Sequence, residues 1–255
     1  MKSSAMSPPE ISGEPIARGS SCELYRMQNG RVLKLFQDHI PAFVVDIEKV
    51  KTEVVLQAGV DTLSVHTQVE HDGRHGLIFD QVDGPTILDE LLRRPDDLVR
   101  LAAQFADAHT AVHACRTTNL PSLRDELQRT LLAVDHLSDA ERVAVLERLA
   151  SLDDGSAVCH GDFHPKNVIL AEGKACVVDW LSATSGPPLA DVAHTLLIVR
   201  HSKAAHFSPE DRSMIDSLRE AFETAYRNAY VQRTGCSEAA IDQWYELLSK
   251  IMIAP

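Results

Sequence analysis

Three polar residues in the second half of the chain have the types and spacing that phosphoryl transfer requires. Asp162 and Asn167 lie five positions apart, and Asp179 follows Asn167 by twelve positions. If a tight hairpin separates Asn167 from Asp179, their side chains meet at its base. A carboxylate and an amide oxygen so placed suit Mg²⁺, with phosphate oxygens as the other ligands. Asp162, outside that pair, would be free to accept the proton of an attacking hydroxyl.

Short strands must position these residues. Apolar runs at 157–159, 168–170 and 176–178 predict three strands, and Glu172-Gly173 supplies a turn between the last two. Asp162 and Asn167 would then lie on the loop between the first two strands, with Asp179 directly after the third.

The N-terminal third is predicted to be a small antiparallel sheet with one inserted helix. Asn29-Gly30 is a hairpin signal, because both central residues of a type I′ turn need positive φ. A helix is predicted from Pro41, a residue suited to the first helical position, to about residue 58. The predicted strands are at 14–17, 23–27, 32–36, 64–70 and 76–82.

Helical patterns dominate after Asp83-Gly84-Pro85. Apolar residues recur at helical spacing over 98–112, and Ser138 with Glu141 forms a capping box. Ser208 is predicted to open a long helix that reaches about residue 233.

The predicted fold class is therefore α+β with two lobes. Residues 10–82 would form a small antiparallel β lobe with one helix, and residues 83–86 a hinge. Residues 87–255 would form a larger, mainly helical lobe that carries the catalytic hairpin.

Composition excludes several classes of function. Twenty-five Lys and Arg against 37 Asp and Glu give a net charge of −12, so the basic surface that nucleic-acid binding needs is missing. That charge is compatible with a cationic small molecule. No apolar run approaches the ~18 residues of a membrane span, and the polar start resembles neither a signal nor a transit peptide. Five cysteines without a CxxC pair predict reduced thiols and a cytoplasmic location.

The run His160-Gly-Asp162-Phe-His164-Pro-Lys-Asn167, with Asp179 downstream, resembles the aminoglycoside phosphotransferase and choline kinase group. These are small-molecule kinases with the two-lobed protein-kinase-like fold, and the resemblance spans roughly residues 14–200. It implies that Asp162 is the catalytic base and that Asn167 and Asp179 are the Mg²⁺ ligands. It implies ATP or GTP as phosphoryl donor. The acceptor would be a small-molecule hydroxyl, of an aminoglycoside or another amino-bearing sugar or alcohol.

The same resemblance implies a phosphate-binding lysine in the third strand, and Lys34 matches it. The helix glutamate that pairs with this lysine is best matched by Glu53, with Glu48 as the second choice.

Two further nucleotide contacts are implied by the resemblance. The adenine would bond to the backbone of the hinge strand, at the Asp80 carbonyl and the Val82 amide. The phosphates would meet Gly19, Ser20 and Ser21, a loop with a single glycine where protein kinases have three.

Departures from protein kinases favour a small acceptor over a protein. Protein kinases have Arg before the catalytic Asp, Lys two positions after it, and Asp-Phe-Gly; here Gly161, His164 and Asp179-Trp180-Leu181 stand instead. Two alternatives stay open: a nucleotide-binding module without turnover, which the sparse phosphate loop favours, and a protein kinase.

Other polar groups are interpreted as structural. His109 and His113 have the i, i+4 spacing of a metalloprotease helix but lack its glutamate, so they are expected on one helical face near the core. Asp191 matches a family aspartate that braces the catalytic loop. The acidic residues of the penultimate helix region are expected to be solvated rather than to bind substrate ammonium groups; they are Glu210, Asp211, Asp216, Glu220 and Glu223.

Overall fold

The N-terminal lobe is a five-stranded antiparallel sheet with the order β1-β2-β3-β5-β4. The structure is a computed structural model that describes residues 13–19, 21–201 and 208–253. One helix, α1 (Ala42–Gln57), is inserted between β3 and β4. The strands are β1 (Ala17–Arg18), β2 (Cys22–Met27), β3 (Arg31–Phe36), β4 (Val65–His71) and β5 (Arg74–Asp80).

The hairpin between β2 and β3 forms as the sequence predicts. Asn29 and Gly30 have φ values of 62° and 68°, the positive angles that a type I′ turn demands. In the resulting register Lys34 lies opposite Leu24 of β2 and Leu77 of β5. Lys34 is therefore on the central strand of the sheet, where its side chain is covered on both sides.

Helix α1 packs one face against the sheet. Its buried residues are Val45, Glu48, Thr52 and Val55, which recur at the spacing of one helical stripe. Glu48 thus lies on the face that meets β3. The last turns of α1 and the following residue Val60 belong to the main hydrophobic core of the C-terminal lobe, so the two lobes share apolar contacts.

The C-terminal lobe is mainly helical, and the prediction of a two-lobed α+β fold is confirmed. Ser138 and Glu141 form the predicted capping box, and Ser208 caps the long helix, accepting a bond from the Asp211 amide. The helices are α2 (Ile87–Arg93), α3 (Leu98–Ala114), α4 (Leu123–Ala133), α5 (Asp139–Ser151), α6 (Pro188–His201), α7 (Pro209–Thr234) and α8 (Glu238–Met252). Among the described residues, no helix is long and apolar enough to cross a membrane.

Two small sheets in this lobe carry the segment with the predicted site. Strands β7 (Val168–Ala171) and β8 (Lys174–Val177) form the predicted hairpin. Strand β6 (Ala157–Cys159) pairs instead with β9 (Thr184–Gly186), a strand that the sequence did not indicate. The loop between β6 and β7 and the segment between β8 and β9 are thereby brought side by side.

Candidate active site

Lys34 connects the two lobes through a buried ion-pair network. Its Nζ lies 2.7 and 2.9 Å from the two carboxylate oxygens of Glu48 and 3.0 Å from Oδ1 of Asp179. Only 6% of Lys34 is exposed. Burial alone would lower the pKa of Lys34, but the charges of Asp179 and Glu48 outweigh it and raise this pKa above its ordinary value. The ammonium group is therefore charged and fixed beside Asp179.

The prediction of Glu53 as the helix partner of Lys34 is wrong, and the second choice, Glu48, holds that position. Five residues of α-helix rotate a side chain by about 140° relative to its starting direction. Glu53 therefore leaves the buried stripe and forms an i, i+4 ion pair with Lys49 at 2.5 Å, with 41% of its side chain exposed.

Asp162 is placed by the neighbouring histidine. The Asp162 amide donates to Nδ1 of His160 at 3.2 Å, so Nε2 carries the proton that His160 donates to the Val178 carbonyl at 3.0 Å. Burial lowers the pKa of His160, which keeps the ring neutral and suited to both bonds. The side chain of Asp162 itself is 45% exposed, with His164 Nε2 at 3.7 Å. A fixed backbone thus presents an accessible carboxylate.

Asn167 and Asp179 lie at the base of the β7–β8 hairpin, as predicted. The Val178 amide donates to the Asn167 carbonyl at 3.0 Å, which continues the hairpin ladder up to Asp179. Asn167 donates its side-chain NH₂ to the Asp162 carbonyl at 3.1 Å, which leaves its Oδ1 for another partner. Asp179 has a left-handed backbone with φ of 72°.

This donor set fits a hard divalent cation. Burial opposes ionisation of Asp179, but Lys34 holds the pKa of its carboxyl below the usual value. Lys34 binds Oδ1 of Asp179, and Oδ2 would be the oxygen that meets the metal. One anionic carboxylate oxygen and one amide oxygen are the pair that Mg²⁺ accepts when phosphate oxygens and water complete its coordination.

Asp191 braces the start of the loop that carries Asp162. Its carboxylate accepts the His160 amide at 2.6 Å and the Gly161 amide at 2.9 Å. His109 and His113 add Nε2 bonds at 3.0 and 3.2 Å. Although burial opposes ionisation, these two histidines hold the pKa of Asp191 well below its usual range.

The i, i+4 histidines of α3 are core residues, as expected. Burial lowers the pKa of His109 to about 3, so the ring is neutral and Asp191 keeps its negative charge. The remaining nitrogens, Nδ1 of His109 and of His113, bond to Tyr226 and Tyr230 at 2.7 and 2.8 Å. His109, His113 and Asp191 lie close enough together to hold a metal ion. Hydrogen bonds, however, already satisfy every ring nitrogen of the two histidines.

The sequence reasoning missed the two tyrosines. Tyr226 and Tyr230 share the i, i+4 spacing of the two histidines, and paired spacings on two packed helices are the signal that could have indicated them. Phe163, beside Asp162, is also fixed in this region: it is fully buried and stacks on the His109 ring with centroids 3.8 Å apart.

The predicted phosphate loop lies between β1 and β2. The Gly19 amide donates to the Cys22 carbonyl at 2.9 Å, and the Ser21 carbonyl accepts the Gln37 amide at 2.9 Å. Ser20 lies outside the described residues. The role of this loop in binding phosphate stays a prediction.

The predicted hinge follows the end of β5. Asp80 is the last residue of that strand, and its side chain lies 2.5 Å from His66. Val82 comes two residues later. The chain then contacts the catalytic hairpin, where the Pro85 carbonyl accepts the Leu170 amide at 2.8 Å. The two backbone contacts to adenine stay predictions.

Among the acidic residues around α7, Glu223 and Asp216 have basic partners within the described part of the chain. Glu223 is buried and binds Arg200 through two bonds of 2.8 Å. Asp216 pairs with Arg219 at 2.9 Å. Glu210 and Glu220 are exposed and Asp211 is half-buried. The carboxylates of Glu223 and Asp216 are therefore neutralised by arginines of this chain and are not available to bind a cationic acceptor.

The model of the phosphotransferase enzyme family matches residues 14–236 of the 255-residue chain. No curated protein matches the chain in sequence.

Solved structures share the fold. An aminoglycoside-3′-phosphotransferase of type VIII is 21% identical, with a TM-score of 0.60, over 95% of this chain and 93% of that one. The phosphotransferase APH(3″)-Id from Streptomyces rimosus, with ADP and streptomycin, is 18% identical, with a TM-score of 0.56, over 93% and 91%. APH(4)-Ia, with AMP-PNP and hygromycin B, is 15% identical, with a TM-score of 0.53, over 95% and 94%.

With its family model matched over most of the chain and the kinase-like fold in place, the chain belongs to the phosphotransferase enzyme family.

Proposed function

We propose that this protein transfers the γ-phosphate of ATP or GTP, with Mg²⁺, to a hydroxyl group of a small molecule. The observation that carries the proposal is the buried network in which Lys34 of the N-terminal lobe meets Asp179 at 3.0 Å. It brings together a fixed cation for nucleotide phosphates and a carboxylate for the metal. Asp162, whose backbone is held against the same hairpin, supplies the proton acceptor.

Each group has a role that phosphoryl transfer requires. Lys34 would bind the nucleotide phosphates, with Glu48 fixing its ammonium group. Asn167 and Asp179 would hold Mg²⁺, which would supply positive charge to offset the negative charge of the phosphates. Asp162 would orient the acceptor hydroxyl for in-line attack and accept its proton at the carboxylate. Gly19, Ser20 and Ser21 would contact the phosphates, and the backbone at Asp80 and Val82 the adenine.

The acceptor class is proposed from the same family resemblance. Two structural neighbours are complexes with streptomycin or hygromycin B. We therefore propose an aminoglycoside or another amino-bearing sugar or alcohol, which would make antibiotic resistance one consequence of the activity.

Substitution of the catalytic aspartate tests the mechanism. A panel of aminoglycosides, amino sugars, choline and small alcohols is screened for acceptor-dependent ADP or GDP release, and the phosphorylated product is identified by mass spectrometry. Because general base catalysis contributes about 10²–10⁴-fold, Asp162→Asn should lower kcat by at least about 100-fold. Turnover within a few-fold of wild type would exclude the assigned role.

A nucleotide-binding module without turnover is the second candidate, favoured by the single glycine of the phosphate loop. Mg²⁺-dependent nucleotide binding in a thermal-shift assay, without product on any acceptor, would support it. Labelling of a protein substrate by radioactive ATP, with no small acceptor found, would instead indicate a protein kinase.

A further inference from the structure

The segment after the hairpin forms a compact turn that carries Asp179. The Ala183 amide donates to the Trp180 carbonyl at 3.0 Å, which closes the turn. Asp179 begins it with φ of 72°, a conformation that costs an L-residue about 1–2 kcal/mol. Something in the surrounding structure must hold this turn, which we name the 179–183 turn.

Three consecutive residues of the turn are held by the N-terminal lobe. Lys34 binds the Asp179 carboxylate, as described. Lys51 of α1 donates its ammonium group to the Leu181 carbonyl at 2.8 Å. Lys51 lies three residues after Glu48, so α1 reaches the site with two side chains from adjacent turns of one face.

Thr62 holds Trp180, the residue between Asp179 and Leu181. The Trp180 indole N–H donates to the Thr62 hydroxyl at 2.9 Å. That hydroxyl donates in turn to the Val177 carbonyl at 2.5 Å. Because it accepts one bond and donates the other, its orientation is fixed. Thr62 lies between α1 and β4, so this contact also comes from the N-terminal lobe.

Trp180 extends the contact to the catalytic loop. Its ring is 1% exposed and lies 4.6 Å from the His160 ring, centroid to centroid. His160 in turn accepts the Asp162 amide. The turn also touches the loop directly, since a Cβ added to Gly161 would lie 2.4 Å from the Ser182 carbonyl oxygen. A shift of the 179–183 turn would therefore be transmitted to Asp162 as well as to Asp179.

We propose that Lys51 and Thr62 are positioning residues that fix the 179–183 turn, and through it both the carboxylate of Asp179 and the loop of Asp162. The inference rests on the proposed function, in which Asp179 binds Mg²⁺ and Asp162 orients the acceptor. It adds two residues outside the catalytic motif, both from the N-terminal lobe. Neither Lys51 nor Thr62 needs to touch substrate or nucleotide.

The first readout is the environment of Trp180 in the free protein. Trp180 and Trp244 are the two tryptophans of the chain, so Trp244→Phe makes Trp180 the sole emitter. In that background Thr62→Val removes the hydroxyl at constant shape, and Lys51→Met removes the donor but keeps most of the aliphatic stem. Each should raise the acrylamide quenching constant of Trp180, and Thr62→Ser, which keeps the hydroxyl, should restore the original value.

The second readout is steady-state kinetics. Thr62→Val and Lys51→Met should each lower kcat by about ten-fold, the effect of roughly 1.4 kcal/mol on the barrier, and raise the Mg²⁺ concentration at half-maximal rate. The acceptor KM should stay within two-fold, about the variation of an uninvolved surface change. The double variant should lose less than the product of the single losses, since both residues act through one turn.

Matched controls come from the same lobe. Lys49→Met removes an ammonium group that pairs with Glu53 on the outer side of α1. Thr67→Val removes a hydroxyl whose bond in the described part of the chain is to the adjacent Gln68 carbonyl, at 3.3 Å. Both should leave quenching and kcat unchanged. If either readout of Thr62→Val and Lys51→Met stays at the level of these controls, the inference is overturned.

Failure of the proposed function has a different signature. If no acceptor on the panel supports turnover by the wild-type protein, the transferase assignment fails. Fluorescence quenching and Mg²⁺-dependent ADP binding still test the positioning of the 179–183 turn in that case. Weaker Mg²⁺–ADP binding in both variants, but not in the controls, would support the inference in that case. Unchanged binding would overturn it.

Discussion

The two candidate partners of Lys34 allow a sharp test of how the site is held. Glu48→Gln removes the charge that contacts a lysine side chain only 8% exposed, and leaves Asp179 as the counter-ion of Lys34 among the described residues. Removing one partner of a buried pair costs about 3–5 kcal/mol, and because Asp179 remains we expect the lower end, about 3 kcal/mol. For a chain of this size that lowers Tm by about 6–12 °C.

The matched variant is Glu53→Gln on the same helix. Glu53 and Lys49 form a half-exposed i, i+4 pair, so its loss should cost about 0.3 kcal/mol. Thermal unfolding and urea unfolding of both variants measure the difference, and the KM for nucleotide reports the position of Lys34. We expect a higher KM for Glu48→Gln alone. Equal stabilities of the two variants, or a larger loss for Glu53→Gln, would refute the buried network as the fixing element.

Two further predictions concern the loop that carries Asp162 and the residues that brace it. Folding lowers the pKa of Asp191 and lowers the pKa of His109 to about 3. As pH falls, the unfolded chain therefore takes up protons at a higher pH than the folded chain does. Stability should decrease as pH falls below about 6.5, with His109 contributing up to about 1.4 kcal/mol per pH unit. Urea unfolding at several pH values measures this slope, and a His109→Asn variant with the same slope as wild type would contradict it. Gly161→Ala should lower kcat, because it combines φ of 74° with a Cβ 2.4 Å from the Ser182 carbonyl oxygen. Gly173→Ala has φ of 81° but open space, so it should lose only about 1–2 kcal/mol of stability and keep kcat; equal kcat in both variants would exclude the steric argument.

Local signals were sufficient for the hairpins and for the ends of helices α1 and α7, whereas α2, α4 and α6 were not predicted. The predicted helix 41–58 is α1 within one residue at each end, and Asn29-Gly30 forms its turn because few residues tolerate positive φ twice. Strand β9 could not be predicted in this way. In its three-residue sequence Thr-Ser-Gly, Thr184 alone favours a strand, and the segment is a strand because β6 pairs with it.

The choice between Glu48 and Glu53 needed the rotation of α1 about its axis. Periodicity gives that rotation when one face of a helix is apolar and the opposite face is polar. Helix α1 has apolar residues on more than one face, since Phe43 and Val50 are 61% and 55% exposed. The pattern is therefore ambiguous, and only packing on the sheet selects the stripe that contains Glu48.

The burial of Phe163 has a consequence for how substrates enter and leave. Its ring packs on His109 and on Phe105, with centroids 3.8 and 4.4 Å apart, one residue from the exposed Asp162 carboxylate. Withdrawing this ring would open a cavity in the core, at a cost of about 3–5 kcal/mol. At that cost the loop of Asp162 stays in its packed position for all but a small fraction of the time. We expect access to depend on the elements that surround it, with Asp162 remaining in place between successive substrates.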